Sequence, residues 1–392
     1  MNPVFLTHGQ HRKTLSVARS LGSRGIPVLV GDTTRFTPAG FSTLCKKTFV
    51  YPDPEKEPGK FLEWMEELIA RHGVNVWFPM DDNVLRIVME QRQENRLDRQ
   101  KTFRFPLPPE PSYRIAADKG LAARLACKAG IDAPRTELPS TLDEVPGLAR
   151  SMGYPLVIKP RHSSGSRGIR MVAEDSQLME TYQAVHAVYP FPVLQAYIEP
   201  GERYDVCLLY NRDGNLRASF VQKEIRHFPL DCGPSTMQES VYRPDLLELA
   251  VTVMKNLPWC GIAEVEFMVN PRDGRPQFME INPRFWNSVQ LAVLSGVDFP
   301  WLAYQVALHG DVEPVHEYRI GQRCRWLFPG ELLHFLANPE RLKMDPPLWA
   351  GSGRAGPDDI WSIRDPMPLL GFIMACLRYI PDPQAWRMVF KR

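Results

Sequence analysis

An α/β region built on a small parallel sheet, followed by an α+β region built on antiparallel hairpins, is the fold class this sequence predicts. Three observations predict it: strand–helix alternation up to residue 91, two Asp-Gly turns flanked by alternating strands in the second half, and a proline-rich boundary at 106–111. Residues 4–6 read as a strand, 14–21 as a helix ended by Gly22, and 26–30 as a second strand running into Gly31 and Asp32. A helix at 61–71, an apolar strand at 74–78 and a helix at 82–91 continue the pattern. The turn after the first strand, His8-Gly9-Gln10-His11-Arg12, holds one glycine where a dinucleotide-binding turn needs three, which argues against a nicotinamide site.

Past the boundary, 118–129 reads as a helix closed by Gly130 and stopped by Pro134. A strand at 155–159, a Ser/Gly loop, a strand at 169–173 and a helix from Ser176 follow. Asp213-Gly214 then joins strands at 206–210 and 216–222, and Asp273-Gly274 joins strands at 263–269 and 276–281.

The chain has 392 residues, which at roughly 150 residues per domain implies two or three domains. Its 44% hydrophobic and 23% charged fractions are those of a globular protein, and a net charge of +2 calls for no nucleic-acid partner. Seven scattered cysteines with no CxxC pair fit neither a disulfide framework nor a zinc site, so a reducing cytoplasm is expected. No secretory signal is read at the N-terminus, and the longest apolar run, 369–376, is too short for a bilayer core of about 30 Å.

Residues 157–168 place Lys159 at a strand end and then Ser163, Ser164, Gly165, Ser166 and Gly168 in a small-residue loop. Exposed backbone N–H groups in such a loop can wrap phosphate oxygens, and the lysine adds charge. The segment is not a Walker loop, and it also reads as a plain hairpin loop with solvated cations. Lys119, at the start of a helix, taken alone reads as a surface residue.

The hairpin at 263–284 carries more chemistry. Alternation puts Glu264 and Glu266 on one face of its first strand, and Glu280, Asn282 and Arg284 on one face of the second. Val265, Phe267, Met279 and Ile281 are then expected in the core. Two carboxylates about 4 Å apart repel by roughly 4 kcal/mol at an effective dielectric near 20, so a cation or a proton must offset them. Carboxylates with an amide oxygen are hard ligands suited to Mg²⁺. The bland alternative is a solvated face of cross-strand salt bridges.

Together these residues resemble the ATP-grasp superfamily, in the branch of carbamoyl-phosphate synthase halves and carboxylate–amine ligases such as D-aspartate ligase. The resemblance covers about residues 112–312. It implies an ATP-grasp fold at 111–315, with a lid subdomain at about 135–192. A small parallel-sheet domain at 1–110 would precede it, and a C-terminal extension at 316–392 would follow. By position, Lys119 and Lys159 match the lysines that contact nucleotide phosphates, and 163–168 the lid loop. Gln195, Ala196, Tyr197 and Ile198 match the hinge that reads adenine, and Glu202 the ribose-binding acid. Glu266, Glu280 and Asn282 match the metal ligands, and Arg284 the arginine that meets the transferred phosphate. Gln195 and Glu264 depart from the usual pattern, the hinge position often being glutamate and the position of Glu264 arginine in some ligases.

The implied activity is a ligase using ATP and Mg²⁺, or Mn²⁺ in its place, to activate a carboxylate as an acyl phosphate for attack by an amine. A phosphotransferase on a small carboxylate, like carbamoyl-phosphate synthase, is the alternative enzyme, and a noncatalytic nucleotide-binding module the alternative of another class. Lys223, Arg226 and His227 read either as ligands of the acceptor carboxylate or as solvated loop charges. The region from Gly321, with Trp326, Trp349, Trp361 and Trp386, is expected to add packing or a homodimer contact, and a membrane-surface role is the lesser reading.

Overall fold

A computed structural model describes residues 2–93, 105–163, 165–230 and 233–379. Its strands form three sheets. The first is parallel, made of β1 (Val4–Leu6), β2 (Val28–Asp32), β3 (Cys45–Val50) and β4 (Val76–Phe78) in the order β3-β2-β1-β4. Its inner strands are continuous apolar runs covered by helices Arg12–Gly22 and Pro58–His72, as expected for a parallel sheet buried on both faces. β3 is not legible in the sequence. Residues Lys46, Lys47 and Thr48 are exposed on this edge strand, and such charges mask the strand signal while protecting the edge.

The second sheet, antiparallel, comprises β5 (Thr136–Glu137), β6 (Leu156–Lys159), β7 (Arg170–Val172) and β8 (Val193–Ala196) in the order β5-β8-β6-β7. It has its own small core, in which Leu156 and Ile158 pack on Val145, Leu178 and Tyr182 of helices Val145–Met152 and Asp175–His186.

The third sheet holds β9 (Glu202–Tyr210), β10 (Leu216–His227), β11 (Ser235–Ser240), β12 (Gly261–Val269), β13 (Pro276–Asn282) and β14 (Arg323–Arg325), ordered β13-β12-β9-β10-β11-β14. Both Asp-Gly turns close hairpins, β9–β10 and β12–β13. One face packs on helices Lys119–Lys128 and Pro244–Met254. The other face shares a continuous core with the first sheet, in which Val4, Leu6 and Leu15 meet Leu209, Phe220, Val297 and Phe299. Helices Val289–Ser295 and Phe299–His309 lie in that shared core.

Residues 316–379 are built into the molecule. β14 pairs with β11 at the sheet edge. Beyond it, buried Arg12 binds Asp359 and stacks over the Trp326 ring at 4.4 Å. Arg19 reaches Asp365 at 2.9 Å. Trp386 lies outside the described residues. Among those residues no single helix is long and apolar enough to cross a membrane.

Candidate active site

The three sheets enclose a cavity of about 690 Å³. Lys119 reaches it because Asp118 caps the helix Lys119–Lys128, its Oδ1 accepting from the backbone N–H groups of Gly120 and Leu121 at 2.9 and 3.0 Å. Asp118 Oδ2 also accepts from Arg161 Nε at 2.7 Å, which ties this helix start to the loop after β6. Lys119 then donates to the Ser163 carbonyl at 2.6 Å and meets Glu280 Oε2 at 3.0 Å. Lys159, at the end of β6, lies 3.7 Å from the same Glu280 oxygen.

The hairpin register sets Glu266 opposite Glu280 and Glu264 opposite Asn282. A bulge follows Glu266, so Phe267 pairs with Phe278 and residue 279 is the extra one. Met279 therefore lines the cavity and Phe278 takes the core position expected for Met279, a correction that alternation alone could not supply. Asn282 Nδ2 donates to Glu266 Oε1 at 2.7 Å and to Glu280 Oε1 at 3.3 Å. Its Oδ1 accepts from Arg284 Nη2 at 3.0 Å.

Burial raises the Glu280 carboxyl, but Lys119 and Lys159 outweigh it and hold it down at about 2. Burial lowers Lys159 more than Glu280 raises it. At Glu266 the Lys159 charge is outweighed. Burial, then Glu280 and Glu264, push it well above the usual carboxylate range. Burial does the same to Asp205, with Glu224 and Glu264 adding to it, and Glu264 is pushed up to about 8. Oxygens of Asp205, Glu264 and Glu266 lie within 4.8 Å of one another.

A divalent cation fits this donor set. The carboxylates exceed the cations that face them, and an amide N–H stands between Glu266 and Glu280 where a positive charge is called for. Glu266, Glu280 and Asn282 would hold the ion, the last after turning its amide so that Oδ1 faces inward.

Other predicted residues are placed less uniformly. Ser163, Gly165 and Ser166 line the cavity, Gly168 faces a smaller cavity of about 440 Å³ beside Tyr189, and Ser164 lies outside the described residues. Gln195 lines the main cavity and donates through Nε2 to Thr136 Oγ1 at 2.9 Å. Ala196, Tyr197, Ile198 and Glu202 are not among the lining residues. The Ala196 N–H is engaged by the Arg135 carbonyl at 2.8 Å, and Glu202 pairs with Lys223. Arg284 is in the cavity but bound to Asp82 Oδ1 at 2.7 Å.

Lys223, Arg226 and His227 are corrected: they end strand β10 and do not line the cavity, so they are neither acceptor ligands there nor loop charges. Arg226 is buried against Glu331 and the Pro346 carbonyl.

Asp205, Glu224, His8, His11, Lys13, Asp81 and Asp82 also line the cavity, beyond the residues expected from sequence. For Asp205 the signal was an isolated acid inside the apolar strand Tyr204-Asp205-Val206-Cys207-Leu208.

A small sheet with its own core, set over a carboxylate-bearing antiparallel sheet with two lysines reaching down between them, is the layout of an ATP-grasp protein. Residues 118–313, half of the chain, match the family described as the carbamoyl-phosphate synthase L chain, ATP binding domain, and the chain belongs to that family. It is 27% identical over 184 residues to the carbamoyl phosphate synthase large chain of Xanthomonas campestris, matching 44% of this chain and 17% of that protein. The chain thus spans about a sixth of that relative's length. Among solved structures, a biotin carboxylase–β,γ-ATP complex from Campylobacter jejuni aligns with a TM-score of 0.67 at 16% identity, covering 82% of this chain and 74% of that one. An L-amino acid ligase from Bacillus licheniformis aligns with a TM-score of 0.61 at 15% identity, covering 82% and 78%.

Proposed function

We propose that this protein is an ATP- and Mg²⁺-dependent ligase that activates a carboxylate as an acyl phosphate and transfers the acyl group to an amine. The observation that carries the reading is the convergence of Lys119 and Lys159, from a helix and from a separate sheet, on Glu280. With nucleotide bound, the two ammonium groups would serve the phosphate oxygens, and the Glu280 carboxylate they now hold would be free to ligate metal. Mg²⁺ held by Glu266, Glu280 and Asn282 would neutralise charge on the transferred phosphoryl group. Arg284, fixed by Asp82 and the Phe285 carbonyl, would present its guanidinium beside that group and orient the carboxylate oxygen that accepts it.

No protein nucleophile is needed for such a transfer, and the buried thiols of Cys207 and Cys324 are pushed well above their ordinary range by burial, which suits packing rather than catalysis. The ATP-binding family and the fold shared with an L-amino acid ligase support the reading.

The test is phosphate release from Mg-ATP over single and paired carboxylic acids and amino acids. Release that requires an acid and an amine together is expected. Release with a small carboxylate alone, yielding a phosphorylated product, favours the phosphotransferase that the family match also allows. ATP binding without turnover overturns both.

A further inference from the structure

The cavity continues past the lysines into the crevice at the C-terminal ends of β1 and β4. In the order β3-β2-β1-β4 these strands are neighbours, yet the chain leaves β1 towards β2 and arrives at β4 from β3, on the far side. Their following loops diverge, and a crevice of this kind is where open parallel sheets receive small molecules. The loop after β1 brings His8 and His11, and the loop after β4 brings Asp81.

His8 has both ring nitrogens engaged. Its Nε2 lies 2.9 Å from Asp81 Oδ2, and its Nδ1 3.3 Å from the Tyr51 hydroxyl. Burial lowers the His8 pKa, but Asp81 outweighs burial and the net shift is upward. His11 differs. Its ring meets the His8 ring edge-on at 5.3 Å, it lines the cavity, and its ring nitrogens have no hydrogen-bond partner among the described residues. The charged and titratable groups that face it are Lys13, His8, Asp81 and Arg284. Burial first, then Lys13 and His8, lower its pKa well below the ordinary value, and its place at the N-terminus of helix Arg12–Gly22 acts in the same sense. At neutral pH it is an uncharged imidazole in a substrate cavity.

We propose that this crevice is the acceptor site for a primary amine, and that His11 takes the ammonium proton whose loss frees the amine's lone pair for attack. The inference rests on the ligase reading above. The substrate's ammonium gives one proton to a His11 ring nitrogen, the freed lone pair forms the C–N bond, the acyl C–O bond to phosphate breaks with its electron pair leaving on phosphate, and the second N–H proton goes to that departing phosphate. A carboxylate substrate brings no proton to remove, so a neutral base at this place suits the amine. His8, held by Asp81 and packed against His11, is a positioning residue.

The experiment compares His11→Gln with the wild type in two assays under Mg-ATP, using the common amino acids singly as the acid. Hydroxylamine, already unprotonated at neutral pH, traps the acyl phosphate as a hydroxamate, and paired amino acids report amide formation. Amide formation in His11→Gln is expected to fall about 100-fold or more at neutral pH. Hydroxamate formation falls far less, and the amide deficit narrows at alkaline pH, where the amine deprotonates unaided. Retained hydroxamate also shows that the variant folds. Asp81→Asn, which leaves His11 in place, should give a smaller deficit with the same pH dependence. Equal loss of both products, or undiminished amide formation, overturns the assignment of His11. Absence of hydroxamate in the wild type with every acid overturns the ligase reading instead.

Discussion

Arg284 Nε donates to Asp82 Oδ1 at 2.7 Å across 202 residues of sequence, joining the end of a hairpin strand to the first turn of a helix on the parallel sheet. The same guanidinium donates to Asn282 Oδ1 and to the Phe285 carbonyl. Burial opposes its charge, but Asp82 outweighs burial and raises its pKa further. Arg284 is thus a cation held in one orientation by three acceptors.

A lysine cannot reproduce that fork. Arg284→Lys should lower ATP-dependent turnover on the order of 100-fold, and Asp82→Asn, which leaves the arginine present but less well aimed, by about tenfold. Steady-state phosphate release measures both. A lysine variant with full activity would show that only charge matters here.

Glu280 is the one acid that both lysines address, so Glu280→Ala should remove turnover to below detection. Isothermal titration with Mg-nucleotide should show weaker binding as well. Survival of activity would sink the metal assignment.

Glu264 carries a pH signature. Its pKa in the folded protein is raised from 4.5 to about 8. Across that window the folded protein keeps a proton that the unfolded chain has released. The contribution to stability is therefore full below the lower value and is lost as pH rises through the upper one. Glu264→Gln should flatten this fall, gaining on the order of a few kcal/mol relative to wild type between about pH 5 and pH 8. Thermal melts across that range read it out, and a constant gap between the two proteins would contradict it.

Asp359 is fully buried and its partner Arg12 nearly so. Removing one member of such a pair leaves the other charge uncompensated, at a cost of about 3–5 kcal/mol. Asp359→Ala should lower the melting temperature by several degrees, and chemical denaturation should show one transition shifted as a whole. A variant as stable as wild type would mean that Arg12 finds another partner.

The hairpins and the parallel sheet were legible because their signals are local. Asp-Gly turns close β9–β10 and β12–β13, and apolar runs mark β1, β2 and β4. β11 was not legible, since Ser235-Thr236-Met237-Gln238-Glu239-Ser240 is polar and becomes a strand only through its neighbours β10 and β14. Within the candidate site, Lys119, Lys159, Glu266, Glu280 and Asn282 could be read from spacing and resemblance, and the structure brings them together. Asp205 shows only as an isolated acid in an apolar strand, and Asp82 not at all. Their proximity to the hairpin depends on strand pairing and on packing between distant segments, as the register Glu266 opposite Asp205 shows. The bulge at Glu266 likewise belongs to the pair of strands and to neither alone.

The parallel sheet and the large antiparallel sheet share one hydrophobic core, whereas the sheet of Lys159 has a core of its own. Moving the parallel sheet and the large antiparallel sheet apart would expose Leu6, Leu209 and Phe299 to water, at about 25 cal/mol for each Å² uncovered. Tilting the sheet that carries Lys159 uncovers none of these side chains. Arg284, His11 and the carboxylates therefore form a fixed jaw, and Lys159 rides on a separate one whose swing is the inexpensive motion of the molecule.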